Sequence, residues 1–352
     1  MVITRTPFRI SFFGGGTDYP GWSRQHGGAV LATTIDKYCY ISCRYLPPFF
    51  DIKYRVVYSQ IENCSSINEI KHPAVREGLR YLSINRGVAI HHDGDLPARS
   101  GMGSSSSFMV GLLHGLYALK GHMPSKDQLA KKSILIEQEI LRENVGSQDQ
   151  VSAAYGGLNH IIFQPNGSIS VHPLTITQKK IAELNSHLML FYPGIKRTAS
   201  EIASSYVDNL DGKKAYFQTM KDLVKEGISV LSDDRPINDF GKLLHEAWKA
   251  KKCLSPLVSN FEVEQIYAQA VSAGALGGKL LGAGGGGFIL FFAEPSKQVA
   301  VKDALSTFIH VPFEFEHSGS QVIFYSHEQD YLNEEKIRSQ QVIKAFKELK
   351  KI

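Results

Sequence analysis

Cysteine is scarce in this chain. Its four residues, Cys39, Cys43, Cys64 and Cys253, stand at spacings that suit no disulfide framework, which excludes the small stapled domains of secreted proteins and leads us to expect a reducing cytoplasm. A signal peptide is missing from the reading as well, because "MVITRTPFRISFF" has neither an apolar core nor a small-residue cleavage site. No apolar run approaches the roughly 20 residues that span a bilayer, so no membrane association is expected. Charge of one sign is thin: the formal balance is +5 over 352 residues, and no basic run exceeds the C-terminal "KELKK". Nucleic-acid binding is left without support, although a mild positive bias suits a phosphorylated small molecule. Internal repeats at solenoid periods and long low-complexity linkers are also absent.

What remains is an average globular composition, 43% apolar and 21% Asp, Glu, Lys and Arg, with ample material for a core. The length exceeds what one core usually organises, so two domains with a ligand cleft between them are expected. We place them at 1–180 and 181–352, because charged helical patterns begin after about residue 180. The first part opens with "TRTPFRISFFGGGTDYP", a strand running into a triple-glycine turn, and "GGAVLATTIDKYCYISCRYL" continues with strand alternation. Cys39 and Cys43 fall on one face of that strand and read as small buried residues, since no histidine nearby completes a zinc pattern. "GVAIHHDGDLP" predicts a strand, "FMVGLLHGLYALKG" a helix with Phe108, Leu112, Leu116 and Leu119 at helical spacing, and "GGLNHIIF" with "SISVHPL" a hairpin. Ser125 with Gln128, and Thr198 with Glu201, have capping-box spacing. In the second part, "AYFQTMKDLVKEGISVL", "FGKLLHEAWKAKK" and "FEVEQIYAQAVSAG" read as helices before "GGKLLGAGGGG" opens into the apolar strand "FILFFA".

Four constellations carry chemistry. "GMGSSSS", Gly101 to Ser107, lies between a strand and a helix, where small residues let backbone N–H groups approach an anion and the helix presents the positive end of its dipole. The hydroxyls of Ser104, Ser105 and Ser106 can reach a magnesium ion; the same residues also read as a flexible loop. It is not a Walker A loop, which needs a Gly-Lys-Ser/Thr ending, and no lysine lies between Arg99 and Lys120. "GAGGGG", Gly282 to Gly287, matches G-x-G-x-x-G letter by letter but precedes a strand and opens no helix, so it suits a loop packed against another backbone or a ligand better than a dinucleotide fingerprint. Glu137 and Glu139 on a helix, with Asp149 after the glycine break, can serve magnesium or a hydroxyl proton, or be plain surface charge. Arg9 and Asp18 bracket the first glycine turn, where a carboxylate beside backbone amides suits sugar hydroxyls and an arginine offsets phosphoryl charge.

Together, "TPFRISFFGGGTDY", "LPARSGMGSSSS" and "KLLGAGGGGF" resemble, in order and over nearly the whole chain, the three motifs of the GHMP kinases, the superfamily of galactokinase, homoserine kinase, mevalonate kinase and phosphomevalonate kinase. The resemblance implies an α+β fold of two domains, a ribosomal protein S5 domain 2-like N-terminal domain that binds ATP and a ferredoxin-like C-terminal domain. It makes Arg9 and Asp149 catalytic. Pro97, Ser100, Gly101, Met102, Gly103, Ser104, Ser105 and Ser106 become the ATP cradle, Ser105 and Glu137 the Mg2+ pair, and Gly15, Gly16, Thr17, Asp18, Gly284 and Gly285 the substrate side. Within the superfamily, "FFGGGTDYP", "GGAVLATTIDKY" and "HHDGDLPARSG" look most like the D-glycero-D-manno-heptose 7-phosphate kinases, which implies phosphorylation of an anomeric hydroxyl on a sugar phosphate. Lys196 and Arg197 are then the candidates for the phosphate already on the sugar. Gly15 and Gly16 stand where galactokinase has acidic and histidine residues, which argues against galactose. An L-fucokinase-like sugar 1-kinase and a catalytically inactive sugar sensor are the rival readings, and a homodimer is left open.

Overall fold

The computed structural model describes residues 1–49, 52–195, 202–205, 211–327 and 330–342. Strand β1 (Val2–Phe13) and the 18-residue strand β2 (Gly28–Tyr45) pair antiparallel from Val2 opposite Cys43 to Phe13 opposite Leu31. Pro7 stands inside β1 although proline has no N–H for a ladder. The register shifts between Pro7 and Phe8, which is the kind of irregularity where a sheet tolerates proline. Around this pair, among the described residues, β13 (Gln321–Tyr325), β1, β2, β5 (Val88–Gly94), β3 (Tyr54–Val57) and β4 (Ile61–Cys64) lie in that order. The predicted hairpin of β6 (Asn159–Phe163) and β7 (Ile169–Pro173) is present and, with β12 (Phe315–Glu316), joins the same sheet through β2. A second sheet has the order β11 (Ile309–Val311), β8 (Leu188–Tyr192), β10 (Ile289–Ala293), β9 (Ala275–Leu280).

Among the described residues, the first part carries the helices α1 (Pro20–His26), α2 (Pro73–Tyr81), α3 (Ser104–Leu119), α4 (Lys126–Ile134) and α5 (Gln148–Tyr155). α3 packs directly on β1 and β2. It can come close because Gly111 and Gly115 face the sheet: a Cβ on Gly111 would sit 2.7 Å from Thr6 Oγ1, and one on Gly115 3.2 Å from Cys43 Sγ. Leu112, Leu113 and Leu116 beside them are fully buried, each contributing about 1.5–3 kcal/mol relative to an exposed side chain. Thr4 Oγ1 donates to the Gly111 carbonyl at 3.0 Å and Ser107 Oγ to the Pro7 carbonyl at 2.9 Å, which fixes where the N-terminus of α3 points. The capping box of Ser125 and Gln128 is formed at the start of α4; Thr198 and Glu201 lie outside the described residues.

The far end of β1 is also contacted by the helices Lys214–Ser232 and Asn238–Lys252. With helices from both parts packed on β1, both faces of "FRISFF" are buried, the polar Arg9 and Ser11 included. Phe12 and Phe13 meet Phe240 edge-on at ring-centroid distances of 5.3 and 5.0 Å. The two sheets give physical ground for proposing the domain division near residue 180, with one addition: through β12 and β13 the chain returns to the first sheet before the second part ends. Among the described residues, no helix is long and apolar enough to cross a membrane.

Candidate active site

The loop from β5 into α3 turns on Gly101 and Gly103, with φ of +81° and +74°. Such left-handed backbone is ordinary for glycine and strained for other residues. The turn sets the first turn of α3, where helical N–H groups have no partner within the helix, at the wall of a cavity lined by Arg9, Asp18, Gly103, Ser105, Asp149 and Gly282, among others. The "GAGGGG" run braces this loop from the second part. Gly282 has φ +73°, and a Cβ there would lie 2.6 Å from Gly101 Cα; the Phe288 N–H donates to the Ser100 carbonyl at 2.9 Å. Backbone packs on backbone where a side chain would not fit.

Arg9, at the middle of β1 and 4% exposed, joins three pieces of the cavity. Its Nε and Nη2 donate to Asp149 Oδ1 and Oδ2, each at 2.8 Å, a two-pronged charged contact of the strong kind, and its Nη1 donates to the Gly101 carbonyl at 2.6 Å. Asp149 sits in the first turn of α5 and remains a quarter exposed. One residue earlier, Gln148 donates its backbone N–H and its Nε2 to the two oxygens of Asp18 at 3.0 and 3.1 Å, and the Gly16 N–H donates to Asp18 at 2.9 Å. Burial raises the Asp18 pKa to about 6, with the Asp149 charge adding to the rise and the Gln148 and Gly16 N–H bonds opposing it. Two buried atoms beside Gly15 have no hydrogen-bond partner, Ser11 Oγ and Gln148 Oε1. Both residues line the cavity, and a polyol could supply what they lack.

Glu137 occupies a π-helical stretch, Leu135–Ile140, that continues α4; such widened turns often mark functional positions. The structure turns it inward to 1% exposure, whereas Glu139, on the same stretch, is solvated. Glu137 accepts from Ser106 Oγ at 2.9 Å, from Ser105 Oγ at 3.3 Å and from Gln150 Nε2. Burial raises its pKa to about 8, against the bonds from Gln150 and Ser106. A hydroxyl and a carboxylate, both hard oxygen donors, thus meet beside the phosphate-type loop, and they fit Mg2+. Among the described residues no group of three His, Cys, Asp and Glu side chains could hold a metal, so an ion here would complete its shell with water and phosphate oxygens, as magnesium commonly does.

The structure therefore brings Arg9, Asp18, Asp149, Gly15, Gly16, Gly101, Gly103 and Ser104 to Ser106 to one cavity, with Glu137 bonded behind the serines. Other expected residues stand differently. Thr17 is fully buried, with its hydroxyl spent on Gly14 and Ala29. Met102 is core, offering only its carbonyl to the Arg9 N–H at 3.1 Å. Ser100 is buried and braces the glycine run, and Pro97 is half-buried away from the cavity wall. Gly284 and Gly285 rest on Val258, the Gly285 N–H donating to its carbonyl at 2.8 Å, while Gly282 and Ala283 line the cavity instead. Lys196 and Arg197 lie outside the described residues. Sequence reading missed Ser11, Gln148, Lys251 and Lys279, all cavity-lining. A lysine in the otherwise apolar β9 was a usable signal for Lys279; Lys251, one of three lysines in the last turn of its helix, carries no local signal that sets it apart from Lys249 and Lys252.

Comparison with known proteins gives a consistent set of likenesses. The model of the GHMP kinases N terminal domain matches residues 68–157, and that of the GHMP kinases C terminal matches 224–310. The chain is 31% identical over 318 residues to the D-glycero-alpha-D-manno-heptose 7-phosphate kinase of Campylobacter jejuni, covering 86% of this chain and 93% of that protein. It is 27% identical over 325 residues to the bifunctional fucokinase/GDP-fucose pyrophosphorylase of Arabidopsis thaliana, covering 83% of this chain but spanning only 30% of that protein's length. Among solved structures, a D-glycero-D-manno-heptose 1-phosphate kinase from Bacteroides thetaiotaomicron superposes with a TM-score of 0.76 over 93% of this chain and all of that one, at 24% identity. At that identity the likeness speaks for the fold.

Proposed function

Since the chain belongs to the GHMP kinases, and is thus an ATP-dependent kinase acting on a hydroxyl group, we propose that it phosphorylates the anomeric hydroxyl of D-glycero-D-manno-heptose 7-phosphate to give the 1,7-bisphosphate. The observation that carries the reaction type is the meeting of Arg9, Asp149 and Asp18 at the N-terminus of α3 in one cavity. Support for the heptose comes from the 31% identity over nearly full length to the Campylobacter jejuni enzyme.

In this reading the phosphates of ATP lie over Gly101–Ser106, where backbone N–H groups and the helix dipole meet negative charge without reorganising. Ser105 and Glu137 would hold Mg2+, which when bound would screen the phosphate charge. Asp18, fixed by Gln148, accepts from acceptor hydroxyls, and Ser11 with the Gln148 carbonyl takes further ones. Asp149 orients the attacking hydroxyl and receives its proton. Arg9, held by that carboxylate and by Gly101, offsets charge as the phosphoryl group moves. Phosphoryl transfer is largely dissociative, so placement and charge compensation dominate and the proton need not leave before attack.

A second reading, an L-fucokinase-like sugar 1-kinase, is favoured by the likeness to the plant fucokinase. The test is ADP release in a coupled assay with heptose 7-phosphate, fucose, galactose and mannose offered in parallel. We expect heptose 7-phosphate to give the highest kcat/KM; preference for fucose would transfer the assignment to the second reading. Tight ATP binding without ADP release from any sugar would instead favour a sensor that has lost turnover.

A further inference from the structure

Lys251, at the end of the helix Asn238–Lys252, and Lys279, on β9, are 6% and 4% exposed, and both line the cavity that holds Arg9, Asp18 and Asp149. Lysine is almost never so buried unless it is paired. Yet the bonds of these ammonium groups go to backbone carbonyls: those of Leu280 and Gly282 for Lys251, and that of Phe12, at 2.9 Å, for Lys279. Neither makes an ion pair with a carboxylate among the described residues. Each ammonium has three donors, more than these bonds use. Burial lowers the Lys279 pKa to about 7 and takes Lys251 well below the ordinary lysine range, and the positive neighbours, Arg9 for both and Lys279 for Lys251, push the same way. A bond to a carbonyl needs no net charge, and a buried cation without a partner is costly.

Resting on the kinase reading of this cleft, we propose that Lys251 and Lys279 form an anion site for a phosphoryl group, supplied by the second domain and closed against the Arg9 side of the cavity. The ligand is a phosphate monoester or phosphoanhydride dianion. Two sources share that chemistry, the terminal phosphoryl of the nucleotide and the phosphate already carried by the acceptor. The site draws on residues of the second part of the chain, whereas the α3 loop uses backbone N–H groups of the first. A phosphoryl group between them would thus hold the two parts together during turnover.

The test uses the full chain, wild type and the variants Lys251→Met, Lys279→Met, Lys251→Arg and Lys279→Arg. Calorimetry with ADP and a non-hydrolysable ATP analogue is set beside kinetics with heptose 7-phosphate and unphosphorylated heptose. If the nucleotide supplies the anion, each Met variant loses about tenfold or more in affinity for the analogue, as expected for a charged hydrogen bond, with ADP affinity nearly kept. If the acceptor supplies it, KM for heptose 7-phosphate rises by a similar factor, with unphosphorylated heptose unaffected. In either case the Arg variants recover much of the loss. Folded Met variants with all these quantities unchanged overturn the proposal. Should a variant fail to fold, the 13Cε shifts of the two lysines in the wild-type chain give the answer: they move on saturation with the ATP analogue or inorganic phosphate if the site exists, and stay fixed under both if it does not. Lysines that respond in a chain with no turnover on any sugar uphold the anion site while sinking the kinase reading; turnover with silent lysines does the reverse.

Discussion

In the proposed mechanism Asp149 is both structural and chemical. Its contact with Arg9 uses both carboxylate oxygens, yet a quarter of the side chain still faces the cavity. Asp149→Asn keeps the shape and one acceptor, so we expect nucleotide affinity to hold while kcat falls by roughly 100-fold or more, the range for losing a positioned proton acceptor; titration and steady-state kinetics on the same preparation check this. Asp18 gives a pH signature. Its folded-state pKa of about 6 lies above the ordinary aspartate value, so the folded state binds the extra proton. The group's contribution to stability therefore falls as pH rises from about 4 to about 6 and is level above that. For binding, the protonated form has lost acceptor capacity. The acceptor KM should accordingly rise as pH drops through about 6, and Asp18→Asn should flatten that dependence at a uniformly weaker KM; a wild-type acceptor KM independent of pH across this range would contradict the role.

At the scale of elements, the decisive contact is between two glycine turns from distant parts of the sequence. A methyl group on Gly282 meets Gly101 Cα at 2.6 Å and demands a left-handed backbone as well. Gly282→Ala should cost about 1–3 kcal/mol for the conformation and more for the collision, and because the α3 loop is what gets displaced, nucleotide affinity should fall together with the melting temperature. Alanine at Gly121, also left-handed but with no neighbouring atom within 4 Å, is the control: it carries the strain without touching the loop, so melting shifts and nucleotide affinity stays. The π-helical stretch at Leu135–Ile140 is a second such device, turning Glu137 to the serines and leaving its neighbour Glu139 in solvent.

For the molecule as a whole, one buried apolar cluster runs from Phe12 and Phe13 of the first sheet to Phe240 and Phe292 of the second part, beneath the cleft's polar wall. Phe240 is fully buried between Phe12, Phe13 and the second sheet's Phe292. Phe240→Ala should destabilise by about 3–5 kcal/mol, the usual cost of emptying an aromatic site, read as a lower urea midpoint. The same variant should raise KM for both substrates, since the walls of the cavity come from both sides of this contact. Lys279, bonded from β9 to the Phe12 carbonyl, crosses the same junction.

The sequence by itself determined the elements and named several of the residues from which the proposed site is built. Alternation fixed β2, periodicity fixed α3, Ser125 and Gln128 announced the start of α4, and the glycine motifs announced the turn before α3, because these signals are local and a few neighbouring residues suffice to set them. Arg9, Asp18, Glu137 and Asp149 were legible for the same reason, each lying in or beside a recognisable motif. Only the tertiary structure decided which of those residues share a cavity. It sent Thr17 and Met102 into the core, set Gly284 and Gly285 against Val258, and brought Lys251, Lys279, Ser11 and Gln148 to the wall. Burial and partnership depend on residues hundreds of positions apart, such as Phe12 and Lys279, and no local pattern encodes which of them will meet.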